Sequence, residues 1–182
     1  MRIISGKFKG KRLIAPKKIP TRPTTDMAKE GLFNILNNHY YFDECSVLDL
    51  FAGTGNISYE FASRGTTQIT AVEANARCVK FIEKTSQELD FSIDAIKSDV
   101  FKYLLRVKIK ADIIFADPPY AIIQEEFEQL VKLVFENELL HENGLLIIEH
   151  STHTKLSELE QFSNSRKYGG SVFSFFENKR EE

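Results

Sequence analysis

The sequence predicts an α/β fold built on a mostly parallel sheet, and three observations carry that prediction. Apolar stretches of strand length alternate with amphipathic stretches of helix length from residue 46 to residue 149. Several of these apolar stretches run into chemically distinctive residues rather than into tight hairpin turns. The chain then closes on two short stretches split by Gly169-Gly170, a hairpin signal. Together they predict seven strands, five parallel and two forming an antiparallel C-terminal hairpin. A length of 182 residues suits one domain.

The elements follow in order. Ile3-Ile4 and Leu13-Ile14 flank Gly6, Phe8 and Gly10, which predicts a short N-terminal β-hairpin. Pro16, Pro20 and Pro23 break the connection, and Thr24 or Thr25 is placed to cap a helix whose apolar face is Ala28, Leu32, Ile35 and Leu36. Residues 46–51 form a buried-type strand that enters a glycine loop, and a helix over 57–64 ends at Gly65. A strand over 68–73 ends in an acid, and a helix over 77–89 presents Val79, Ile82 and Leu89 on one face. A weaker strand over 92–97 leads to Asp99 and a short helix. The strand over 111–116 runs into Asp117-Pro118-Pro119-Tyr120. A helix over 125–137, a strand over 144–149, a short helix over 155–161 and the hairpin 165–168/171–176 complete the chain. Residues 1–24 are expected to be a basic extension and 25–182 the main domain. Strands covered by helices on both faces place ligands beyond the strands' C-terminal ends.

The net charge of −2 hides an asymmetry. Residues 1–30 carry nine Lys/Arg against Asp26 and Glu30, 9 − 2 = +7, so the rest carries 15 − 24 = −9. A basic end on an acidic body points to an anionic partner such as nucleic acid. No apolar run approaches the ~20 residues of a membrane span, and the N-terminus lacks a signal peptide's apolar run. Two cysteines, Cys45 and Cys78, build no disulfide framework, so a cytoplasmic location is expected. His150-x-x-His153 lacks acid or cysteine partners at zinc spacing, and no metal is expected.

Three motifs carry chemistry. Asp49-Leu50-Phe51-Ala52-Gly53-Thr54-Gly55 follows a strand and precedes a helix, so its glycines allow close backbone approach to a ligand. It lacks both the phosphate-binding lysine and the third glycine of the dinucleotide fingerprint. Glu73 ends the next strand 18 residues after Gly55, 73 − 55, a separation suited to ribose hydroxyls. Asp117-Pro118-Pro119-Tyr120 is rarer by composition, because proline is only about 5% of residues. A rigid corner carrying an acid and an aromatic fits one task. Asp117 and the Pro118 carbonyl accept the N–H groups of an exocyclic base amine, while Tyr120 stacks on the base. With an activated methyl donor, positioning accounts for much of the rate.

With these residues, the sequence resembles the class I S-adenosylmethionine-dependent methyltransferases, whose fold is Rossmann-like. Within them it resembles the bacterial 16S rRNA (guanine(966)-N2)-methyltransferase family, the small-subunit rRNA methyltransferase D type. The resemblance runs through Arg2-Ile3-Ile4-Ser5-Gly6, Arg22-Pro23-Thr24-Thr25-Asp26, Leu32-Phe33-Asn34-Ile35-Leu36, Val47 to Gly55, Asp117 to Tyr120, and Glu149-His150. It implies that Asp49, Phe51, Gly53 and Gly55 line the methionine end of S-adenosylmethionine, that Glu73 holds the ribose, and that Asp99 and Val100 meet the adenine. It implies that Asp117, Pro118 and Tyr120 seat the guanine. It implies further that Arg2, Lys7, Lys9, Lys11, Arg12, Arg22 and Thr24 contact 16S rRNA of the small ribosomal subunit, with no obligate protein partner and no membrane. The chain departs from the family at Met27-Ala28, where basic residues are usual, and at Asn75, where an acid is usual. Rival readings are an amino-methyltransferase acting on DNA or on a protein glutamine, and a non-catalytic RNA-binding module. The last leaves the glycine loop and the Asp117–Tyr120 corner without a use.

Overall fold

Four of the five residues of β1 (Ser46–Leu50) are buried, as a central strand covered on both faces requires. The computed structural model describes residues 1–17, 19 and 24–178. After α1 (Asp26–Leu36) and β1 come α2 (Asn56–Ser63), β2 (Gln68–Glu73), α3 (Ala76–Leu89), β3 (Ile93–Lys97), α4 (Val100–Leu104), β4 (Ala111–Ala116) and α5 (Gln124–Glu136). Three strands finish the sheet, β5 (Leu140–Ser151), β6 (Phe162–Tyr168) and β7 (Ser171–Glu177). The seven strands lie in the order β3-β2-β1-β4-β5-β7-β6. β1 to β5 pair in parallel, and β7 is antiparallel to both β5 and β6. This is the predicted fold class.

Alternation along each strand sorts the core into two layers. Leu48, Leu50, Ile114, Leu146 and Ile148 face α4 and α5, packing on Leu104, Phe127 and Leu130. Val47, Ile113, Phe115, Ile147 and Phe173 face α1 and α2, packing on Leu32, Phe33 and Phe61. The chain order reverses between β1 and β4, so the crevice at their C-terminal ends is the switch point of the sheet.

The expected N-terminal hairpin is present in short form, with an antiparallel bridge between Arg2 and Arg12 and cross-strand bonds from Ile3 N–H to Lys11 C=O, Gly10 N–H to Ile3 C=O and Leu13 N–H to Met1 C=O. Other backbone donors tie it to α2: Glu60 accepts from Ile4 and Ser5 N–H, the Ser63 carbonyl from Lys7 N–H, and Ser63 Oγ from Phe8 N–H. Two local predictions need correction. Residues 155–161 form successive turns, not a helix, with Leu159 N–H bonding Leu156 C=O and Phe162 N–H bonding Leu159 C=O. Seven residues with one buried anchor, Leu156, do not offset the cost of a helical nucleus. β5 starts at Leu140 rather than 144, across a register irregularity opposite Ala111 and Ile113. Elsewhere the expected elements appear with small shifts at their ends, and Thr25 rather than Thr24 caps α1 by accepting from Ala28 N–H.

Candidate active site

The turn after β1 is built for tight curvature. Phe51, Gly53 and Gly55 all take positive φ, at 57°, 55° and 87°. A left-handed non-glycine residue such as Phe51 costs on the order of 1 kcal/mol or more, and such strain concentrates at functional sites. A side chain on Gly55 would stand 2.8 Å from the Tyr59 ring, so the turn also packs closely on α2. Gly55 therefore shapes the site without lining it.

Asp49 lies at this turn, only 2% exposed. Its Oδ2 accepts from the Ser58 N–H at 3.1 Å and the Ser58 hydroxyl at 2.6 Å. Burial pushes its carboxyl up to about 7, against the Ser58 hydrogen bonds and with a smaller upward push from Glu73. Glu73, at the end of β2, uses both oxygens: Oε2 accepts from Gly53 N–H and Oε1 from Asn75 N–H, each at 2.8 Å. Each oxygen keeps lone-pair capacity for a further donor.

Across the crevice, Leu50 pairs with Ala116, and the Asp117 N–H reaches the Leu50 carbonyl at 3.4 Å. The corner after β4 is thereby tied to the strand that carries the glycine turn. Pro118 is buried, while Tyr120 is 72% exposed at the rim. Asp49, Phe51, Gly53, Glu73, Asp117, Pro118 and Tyr120 all line one cavity of about 380 Å³.

Besides Gly55, two expected cofactor residues stand outside that wall. Asp99 caps α4, accepting from Lys102 N–H at 2.9 Å, and Val100 is buried in the core. The same wall includes residues to which sequence reasoning gave no ligand role. Asn56, Cys78 and Glu149 line it, as does Thr24, expected at the RNA surface. Thr24 is buried and donates its hydroxyl to Glu149 Oε2 at 2.6 Å. The signal for Glu149 was present: like Glu73, it is an acid at the C-terminal end of a parallel strand.

The basic segment splits into two populations. Lys7, Lys9, Lys11 and Arg12 are exposed on the N-terminal turn. Phe8 supports them, with Lys7 Nζ 5.3 Å and Lys11 Nζ 6.0 Å from its ring centre. Arg2 pairs with Asp26 at 2.9 Å and lines a surface depression with Arg12. Lys29 is different, being buried against Glu60 Oε2 at 3.2 Å with further bonds to the Arg2 carbonyl and Asn56. Its place in the basic run gave no hint of this. Arg22 lies outside the described residues. Among the described residues no helix is long and apolar enough to cross a membrane.

The family model described as "Conserved hypothetical protein 95" matches residues 1–177. The putative rRNA methyltransferase YlbH of Bacillus subtilis is 33% identical over 87% of this chain and 86% of its own. Ribosomal RNA small subunit methyltransferase D of Buchnera aphidicola is 31% identical over 82% of this chain and 75% of its own. The solved structure of a putative methyltransferase from Escherichia coli matches with a TM-score of 0.84. It covers 98% of this chain and 99% of that one at 23% identity, a likeness of fold.

Proposed function

The chain belongs to the family described as conserved hypothetical protein 95, and from that premise we propose that it methylates the N2 amine of a guanine in small-subunit rRNA, with guanine 966 of 16S rRNA as the candidate. The donor is S-adenosylmethionine. One observation carries the reading: the glycine turn and the Asp117–Tyr120 corner line the same cavity at the sheet's switch point.

The cavity fits the donor on three counts. Its volume of about 380 Å³ falls in the range of small-molecule sites, about 300–1,000 Å³. Glu73 has an oxygen for each of two vicinal hydroxyls. Asp49, buried and without a cationic partner among the described residues, complements an ammonium group. Once bound, the donor supplies an electrophilic methyl on a sulfonium and leaves as S-adenosylhomocysteine.

The protein's part is positioning. Asp117 and the Pro118 carbonyl accept the two N–H groups of the target amine and aim its lone pair at the methyl. As the N–C bond forms, the amine sheds one proton, and the Asp117 carboxylate is the acceptor at hand. Tyr120 stacks on the base, worth about 1–3 kcal/mol in nucleic-acid sites. Residues 1–24 act as the RNA-binding extension of a catalytic domain over 25–182, with Lys7, Lys9, Lys11 and Arg12 meeting phosphate. The substrate class places the protein in the cytoplasm, with the small subunit as partner and no requirement for a membrane, an obligate protein partner or a metal.

The test is Asp117→Ala. We expect methyl transfer to small subunits lacking the modification to fall at least ~100-fold, in line with losing a group that acts on the reacting atoms. Calorimetric affinity for S-adenosylmethionine should stay within about threefold. Near-normal turnover would remove Asp117 from the mechanism.

A further inference from the structure

Glu149 is a buried carboxylate to which the positioning scheme above gives no task. It is 7% exposed at the end of β5. Its recorded partner is the Thr24 hydroxyl, and no lysine or arginine pairs with it among the described residues. An ionised carboxylate has about four acceptor sites, so one hydroxyl leaves most of its capacity open. Burying a charge this way is costly unless something completes it.

The register shows what Glu149 stands beside. Ile148 pairs with Ala116 in the parallel β4–β5 ladder. One residue beyond that pair, Glu149 continues β5 while Asp117 leaves the end of β4. Glu149 lines the cavity at the sheet's switch point, and it also lines a smaller one of about 90 Å³ with Pro118, Pro119 and Tyr120. It therefore flanks the corner that holds the amine. Neighbouring His150 does not compete for this role. Its Nδ1 faces the Ser151 carbonyl at 2.8 Å and its Nε2 the Ser174 hydroxyl at 2.7 Å. Burial also lowers its pKa, which keeps it from serving as a countercharge.

We infer that Glu149 reads the ring nitrogen adjacent to the target amine, accepting N1–H of guanine. This rests on the guanine reading above and adds the residue that selects for it. In guanine the ring nitrogen next to the amine carries a hydrogen. In adenine and cytosine the corresponding nitrogen is an acceptor, and its lone pair would face the carboxylate. Uracil has a ring N–H but no amine to methylate. One carboxylate thus separates guanine from the other amine-bearing bases, because a wrong base leaves a buried charge unmatched. Thr24 holds the other oxygen and fixes the carboxylate's orientation.

The decisive analogue is 2-aminopurine, which keeps the N2 amine but has an acceptor at N1. Small subunits are reconstituted with guanine or 2-aminopurine at the position that the wild-type protein methylates, and kcat/KM is measured for each. We expect wild type to favour guanine by at least ~10-fold, the range of a lost hydrogen bond to a charged group. Glu149→Gln places an N–H donor at the same point. It should lower transfer to guanine at least ~10-fold and shrink or invert the preference. A role confined to holding Thr24 would leave the preference untouched. A wild-type ratio near one overturns the assignment without any variant, so a Glu149→Gln protein that failed to fold would not shield it. A clear preference that Glu149→Gln leaves unchanged overturns it too. No transfer to any guanine N2 by wild type, with S-adenosylmethionine still bound, sinks the guanine reading itself.

Discussion

Glu60 and Asp49 are both buried carboxylates bonded to or carried by α2, yet their surroundings are opposite. Glu60 is fully buried and completed by the protein: Lys29 and Arg64 supply positive charge, and Ile4 and Ser5 supply N–H donors. Among the described residues, Asp49 meets only the neutral N–H and O–H of Ser58. Glu73 and Glu149 resemble Asp49, with backbone amides on the first and a hydroxyl on the second. The difference separates a joint from a site. Where charge is closed by cations, the carboxylate fastens the N-terminal segment to the domain. Where only neutral donors serve, negative charge remains for a ligand to meet.

The largest effect that should break this contrast is Glu60→Ala. It strands the Lys29 ammonium in the interior, and losing one member of a buried pair costs about 3–5 kcal/mol. Thermal or denaturant unfolding measures it. A loss below ~1 kcal/mol would mean that Glu60 is no joint. Next comes the outer face of the same segment. Replacing Lys7, Lys9, Lys11 and Arg12 by Ala should flatten the salt dependence of RNA binding by up to about 3 units of slope, given ~0.7–0.9 per phosphate neutralised. Fold stability should change by under ~1 kcal/mol, because these side chains are exposed. An unchanged slope would mean that they do not touch RNA.

The smallest effect concerns Asp49. Its carboxyl is raised from the ordinary 3.8 to about 7, so folding favours its protonated form. The stability this lends is complete below the ordinary value and lost as pH rises through about 7. A cationic ligand reverses the preference. S-adenosylmethionine affinity should therefore rise about tenfold between pH 6 and pH 8, the factor for one proton released at a pKa near 7. Calorimetry in two buffers of different ionisation heat counts that proton, and Asp49→Asn should abolish both the release and the slope. A flat profile in wild type would place the ammonium elsewhere.

What the sequence determined by itself was everything written in local spacing. Alternating apolar strands and amphipathic helices, the glycine turn, the acid at position 73 and the acid-proline-proline-tyrosine corner sufficed for the sheet and for the two sides of the cavity. Those signals are local because strand period, turn chemistry and proline rigidity act over a few residues. Charge roles were not legible. Lys29 reads like any other base in the N-terminal run, yet it is buried on a carboxylate 31 residues away, 60 − 29. Thr24 and Glu149 are 125 residues apart and share a hydrogen bond. Which Thr caps α1 was ambiguous for the same reason, since Thr24's hydroxyl goes to a distant strand. A side chain's hydrogen-bonding capacity is set by its type, but its partner is set by which surfaces tertiary packing brings together. The folded chain alone decided which charges face inward, which face solvent and which carboxylates lack a cationic partner among the described residues.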